Sequence, residues 1–279
     1  MLMLILAGVS SQVSKLLTTG ISQNQNRVNA RAAMSFMARE LKQAAIAKQK
    51  TYAVGTTPVS ALHLVINPSS ITEPYMNPDA VFWQAPIATT TTSGDIAEVG
   101  YFVYRDDKVD VTGKHTFHSD LMRLFVNPTD TTNYRIYSQP GSWLDAGLLG
   151  QFIPTKLNNY QGLFLENVIG LWVMPYKDNG RPMNTVTGPN VEMTTIHAYD
   201  SRHNNVPSAP IDRLPSMVQV SLLVADSTTI KRLTGNIPVS GYVSADECFA
   251  ALKASSGANA RLLVTGADVI YFNVALDNY

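Results

Sequence analysis

His115 and His118 stand three residues apart in a polar stretch, RDDKVDVTGKHTFHSD (residues 105–120), that also carries Asp106, Asp107 and Asp110. Imidazole and carboxylate are ligand types that divalent cations take, so metal binding is one chemistry this stretch could support. A calcium loop, however, sets its oxygens at alternating positions around a glycine-enforced turn, and that pattern is only partly present here. A solvated hairpin loop accounts for the same residues. The second cluster is His197, Asp200 and His203, with Tyr199, Ser201 and Arg202 between them. Serine beside histidine and aspartate would suit a hydrolase, yet Ser201 lacks the glycine-framed elbow between strand and helix that presents a nucleophilic hydroxyl. Residues 199–202 (YDSR) read more simply as a turn tied down by side-chain hydrogen bonds. The sequence holds no glycine-rich phosphate loop and no dinucleotide fingerprint. It therefore points away from catalysis, and no cofactor is implied.

Composition narrows the remaining classes. The 21 Lys+Arg balance the 21 Asp+Glu, and charged residues make up only 15% of the 279. Such a chain has no long-range field to gather nucleic acid, which is not an expected partner. Cys248 is the single cysteine, which excludes an intrachain disulfide and a cysteine-pair zinc site. Threonine-rich and proline-rich connections such as TTTTSG at 89–94 favour extended chain and turns over helix.

The elements that must position any site fall into two parts. Residues 1–45 form one helical pattern that begins apolar (MLMLILAGV) and turns polar. Val13, Leu16, Leu17, Ile21, Val28, Ala33, Met37, Leu41 and Ala44 recur close to every three, four or seven residues and trace one stripe. Gln12, Lys15, Gln23, Asn24, Asn26, Arg27, Arg31, Arg39 and Lys42 fill the other side, and Gly20 with residues 23–26 marks a softer turn. The later turns are expected to lean on a core through Met37, Leu41 and Ala44. Glu40, flanked by Arg39 and Lys42, reads as part of a solvated helix face with neighbours at i,i+4. Gly55 and Pro58 cannot continue the helix.

Beyond that point the apolar period changes. Short strands are expected at 61–66 (ALHLVI) and 80–83, and a long-looped antiparallel hairpin from 98–104 (EVGYFVY) and 121–126 (LMRLFV). A short helix or turn fits 143–152. Residues 163–174 (LFLENVIGLWVM) read as a strand run with Gly170 at a bulge or close contact. Residues 176–212 hold four prolines and two glycines and form no core element, whereas 217–224 (MVQVSLLV) is the plainest strand. Residues 245–253 read as a short helix, and 260–276 as a closing strand or pair of strands. The predicted fold is α+β: a long N-terminal helix over residues 1–50 packed on an antiparallel β-sheet head over residues 51–279.

Several of these segments carry a family resemblance. RAAMSFMARELKQA (31–44) resembles the end of the N-terminal helix in the type II secretion minor pseudopilin J and the W-class minor pilins. LFLENVIGLWVMPY (163–176), AYDSR (198–202), LPSMVQVSLLVAD (214–226) and the closing ARLLVTGADVI (260–270) resemble the Verrucomicrobia-type Verru_Chthon cassette protein C family of pilin-like proteins. The resemblance implies a minor pilin-like subunit of a type IV pilus or a type II secretion-like filament, with no enzymatic activity. It would be held in the inner membrane by one helix, with a periplasmic or cell-surface head, and its partners would be other minor pilins or pseudopilins. Leu4, Leu6, Ala7, Gly8, Val13, Leu16 and Leu17 would then pack in the filament, with the small residues Ser10, Ser11 and Ser14 allowing close approach. One departure stands out: the basic leader, the peptidase site and the early Phe and Glu of such proteins are not in this sequence. LMLILAGVSSQV is similar to the second half of that segment, which implies a recorded start inside it.

The competing class is a surface or secreted binding module, an adhesin with a β-rich head that offers Trp83, Trp143, Tyr199 or the Tyr134 and Tyr137 pair to a ligand. An exposed aromatic platform would mark it, and burial of those rings in a core is the plainer expectation.

Overall fold

Tyr101 and Arg123 face one another across two long strands. The computed structural model describes residues 24–46, 51–54, 57–60, 62–89, 93–109, 115–136, 143–153, 162–178, 180, 182, 198–201, 214–235 and 237–276. The strands are β1 (Thr51–Val54), β2 (Thr57–Ser60), β3 (Leu64–Ile66), β4 (Ala80–Ala85), β5 (Ala97–Val109), β6 (His115–Val126), β7 (Leu163–Leu165), β8 (Val168–Tyr176), β9 (Tyr199–Asp200), β10 (Met217–Ala225) and β11 (Ala267–Ala275). The helices are α1 (24–41), α2 (Ala146–Gly150), α3 (Ser227–Ile230), α4 (Ala245–Ala254) and α5 (Ala258–Gly266). Two antiparallel sheets result, one in the order β7-β6-β5-β4-β3-β9 and one in the order β11-β10-β8, beside the small β1-β2 hairpin. The architecture is α+β and mostly sheet.

Side chains alternate across a strand, so each sheet has two faces to cover. On the inner face of the larger sheet lie Trp83, Val99, Tyr101 and Leu121; on the inner face of the smaller lie Leu171, Val173, Val220 and Leu222. Both faces meet α1, which contributes Ala30, Met34, Met37 and Leu41, each at most 3% exposed. Burial of each large side chain among these contributes about 1.5–3 kcal/mol. The outer face of the larger sheet, with Phe82, Phe102 and Leu124, is covered by Ile136, Trp143 and Leu149. The outer face of the smaller sheet, with Ile169, Trp172 and Leu223, is covered by α3, α4 and α5. The sheets are tied where Leu171 N donates to Asn77 O (2.9 Å) and Asp79 N to Leu171 O (3.1 Å).

Several elements differ from the sequence expectation. The run 163–174 is not one strand: Asn167 adopts φ 65°, and its N–H donates to Asp120 Oδ1 (3.0 Å), so the chain leaves the larger sheet after β7 and enters the smaller as β8. Gly170 is the expected close-contact site, since a Cβ there would lie 2.6 Å from the Trp172 ring, and the β8–β10 register shifts beside it. The polar stretch 105–120 is mostly strand, because tertiary partners grip it: Arg105 donates to Ile237 O (3.2 Å) and Ile169 O (2.6 Å), and Gly235 N donates to Asp107 Oδ2 (3.0 Å). Residues 260–276 are not strand throughout. Their first part completes α5, which turns Ala260 and Leu263 inward at helical spacing, and only then does β11 begin. Residues 199–200 form β9 on the edge of the larger sheet rather than a turn.

Candidate functional site

Glu40 is the chemical centre of the helix–head junction. One turn of α1 places it between the buried stripe and the exposed face, and it turns inward, 7% exposed. Its Oε2 accepts the Tyr101 hydroxyl at 2.6 Å and Arg123 Nε at 3.0 Å, while Oε1 accepts Arg123 Nη2 at 2.5 Å. This is a forked guanidinium–carboxylate pair with a phenol as third donor. The solvated-face expectation for Glu40 is therefore corrected. Its partner lies 83 residues away on β6, and nothing local in the sequence announces it.

An aromatic shell fixes the guanidinium. Arg123 lies 4.2 Å from the Phe125 ring centroid and 5.5 Å from that of Phe36 on α1. Phe164 of β7 packs edge-on against Tyr101 at 5.1 Å and meets Phe36 at 5.6 Å, and Trp83 stacks on Tyr101 at 5.8 Å. Burial, followed by the Glu40 charge and hydrogen bond, raises the Tyr101 phenol above its ordinary value, so it keeps its proton as a donor. At the other end of α1, Arg27 forks onto Asp268 of β11 at 2.5 and 2.6 Å, and Asn26 Nδ2 donates to Ala225 O at 3.1 Å. Between these ends an open groove of about 550 Å³ runs along α1, lined by Asn29, Ala33 and Phe36 on the helix side and Leu163, Leu165 and Glu166 on the strand side.

The arrangement ties α1 to the larger sheet through charged as well as apolar contacts. A buried ion pair contributes little net stability, because desolvation offsets attraction, but separating the partners leaves an uncompensated buried charge and is costly. Apolar contacts through Met34, Met37 and Leu41 hold α1 against the sheets, and the Glu40 fork defines its rotation and height.

Met37 and Leu41 are fully buried in the main core, and Ala44 is half-buried against the same cluster. Leu4, Leu6, Ala7, Gly8, Val13, Leu16 and Leu17 lie outside the described residues. Asp106 pairs with Lys108 (2.5 Å) and Asp107 caps Gly235, while His118 stands opposite Asp106 across the hairpin. Among the described residues no three His, Cys, Asp or Glu gather as a metal set; Asp110 lies outside them. Ser201 is locked into the sheet edge, its Oγ accepting Leu64 N at 3.0 Å, and His197 and His203 lie outside the described residues. Trp83, Trp143 and Tyr199 are buried and form no surface platform; Tyr134 is half-buried, its hydroxyl donating to Ile96 O, and Tyr137 is outside the described residues. Cys248 is buried, and burial pushes its thiol up to about 12, so it is chemically quiet. Among the described residues no helix is long and apolar enough to cross a membrane.

Compared with protein-family models and with curated proteins, the chain matches none.

Proposed function

We propose that the chain is a minor pilin-like, or pseudopilin, structural subunit of a type IV pilus or type II secretion-like filament. In this role it assembles through the apolar residues before α1, contacts sister minor subunits through its head, and catalyses no reaction. The observation that carries the proposal is the way α1 is fastened. Its turns from Ala30 to Leu41 are built into the core between two sheets, and the Glu40–Arg123–Tyr101 fork sets their register. Force on the stem therefore reaches the head as it would in a rigid body, as a filament subunit needs. The sequence upstream, from MLMLILAGV to Leu17, supplies the apolar surface for membrane or bundle. The rival adhesin reading rested on an aromatic platform, and three of the rings named for it are in the core.

The test is fractionation of the full chain expressed together with its neighbouring genes. The proposal expects it with the inner membrane and in sheared filaments, and expects Leu4→Asp with Leu6→Asp to release it. A wild-type chain found only as a soluble monomer would overturn the assignment.

A further inference from the structure

β11 forms one border of the smaller sheet, and among the described residues it is the one long border left open. The larger sheet ends in β7 and β9, of three and two residues. On the far side of the smaller sheet β8 is engaged: Leu171 bonds Asn77 and Asp79, Val173 N donates to Asp79 Oδ2 at 2.8 Å, and Ile169 O accepts Arg105. β11 runs nine residues, ADVIYFNVA, with no lysine, no proline and no shift in its register against β10. Lysine, proline and bulges are the usual means of blunting a free edge, so this border stays open to a further strand.

Which backbone groups face outward follows from the pairing with β10. Leu276 N donates to Ser216 O and Asp226 N to Gly266 O, both in the register that joins the two strands, so the even-numbered residues of β11 bond β10. The N–H and C=O groups of Val269, Tyr271, Asn273 and Ala275 therefore point to the open side. Ala267 shares that side, but its N–H donates to Leu263 O. Tyr271 is 62% exposed, and Ile270 and Phe272 are only partly buried on the inner face.

We propose that β11 is the seam of a homodimer, in which it pairs antiparallel with β11 of a second copy about a two-fold axis at Phe272. That register sets Val269 against Ala275 and Tyr271 against Asn273, so every outward donor and acceptor of these residues meets its complement. A register centred on Tyr271 would set Ala275 against Ala267, whose N–H is taken. Between the bonded pairs Phe272 faces its own copy and Ile270 faces Val274, which carries the apolar inner face across the seam. Charge admits a second copy. Asp268 is the one charged side chain of β11, Arg27 of the same chain forks onto it, and the pairing holds the two Asp268 residues at opposite ends. With 21 Lys+Arg against 21 Asp+Glu, two copies meet without net repulsion. One continuous sheet results, in the order β8-β10-β11-β11-β10-β8. The inference rests on this edge and not on the filament assignment.

Sedimentation of the full chain in mild detergent should show a dimer. Tyr271→Pro removes an N–H that β10 does not use, so it should keep the circular dichroism spectrum while raising the dimer dissociation constant at least about tenfold. Phe272→Cys should give a disulfide-linked dimer on mild oxidation, whereas Ala275→Cys, whose two copies lie about 20 Å apart, should give none. Cys248 is buried and does not compete. Should either variant fail to fold, a mixture of Val269→Cys with Ala275→Cys decides by forming the crossed disulfide or not. A monomeric wild type, an open series of larger assemblies, a dimer untouched by a folded Tyr271→Pro, or equal cross-linking at 272 and 275 would each overturn the seam.

Discussion

Replacing Arg123 by Met leaves the Glu40 carboxylate in the junction with only the Tyr101 hydroxyl as donor. Removing one partner of a buried pair costs about 3–5 kcal/mol, against about 0–1 kcal/mol for an exposed one. The Glu40 side chain is 9% exposed and that of Arg123 22%, which places the pair nearer the buried limit but discounts it toward about 3 kcal/mol. Losing the guanidinium over Phe125 adds about 0.5–1 kcal/mol. The single variant should therefore lose about 3–4 kcal/mol, a shift in urea midpoint of about 1–2 M. Trp83, stacked on Tyr101, supplies a fluorescence signal at the junction. Combining Arg123→Met with Glu40→Leu exchanges the ion pair for an apolar contact and should recover about 2–3 kcal/mol, since such exchanges run from neutral to stabilising. A single-variant loss below about 1 kcal/mol, or a double variant equal to the sum of its singles, would refute the assignment of Glu40 and Arg123 as a coupled buried pair.

Three further outcomes are expected. Met37→Asp with Leu41→Asp puts two carboxylates where both side chains are fully buried; the head should lose several kcal/mol, at about 2–5 kcal/mol for each large side chain, and an unchanged thermal midpoint would show that this face is not docked. A chain that begins at residue 26 keeps Arg27 on Asp268 and the whole buried stripe, so it should be soluble with the melting temperature of the full chain; an unfolded product would mean that the earlier turns belong to the core. Gly100→Ala places a Cβ 2.1 Å from the Phe82 ring and should cost about 1–3 kcal/mol in thermal unfolding, with a neutral result showing that the ring can move aside.

Much of this architecture was legible from spacing alone. The stripe is right at Met37 and Leu41 but not at Val28, which is 55% exposed, and it leaves out Ala30 and Met34, which are buried; alternation finds β10 to within one residue. What stayed hidden depends on distant partners. Glu40 looks like an exposed charge because its sequence neighbours are polar; only the Tyr101–Arg123 register shows that a guanidinium and a phenol wait beneath it. Glu98 and Gln84 sit at strand positions where a solvated face would be expected, and they become buried because Ile136 and Trp143 return over that face. The strands around residues 105–120 run longer than their composition suggests because Arg105 holds Ile237 and Asp107 holds Gly235. The break at Asn167 needs a left-handed residue, which asparagine tolerates but does not announce.

The most direct measurement asks what surrounds the apolar stem in the cell. A photo-crosslinking amino acid at Val13 of the full chain, produced with its neighbouring genes, should give adducts with a second small pilin-like chain in the membrane and filament fractions. The same probe at Lys253, on the exposed side of α4, should give few adducts with that chain. A Val13 probe that yields no adduct, in a chain that stays monomeric in the soluble fraction, would contradict the division into an assembling stem and a head locked to it.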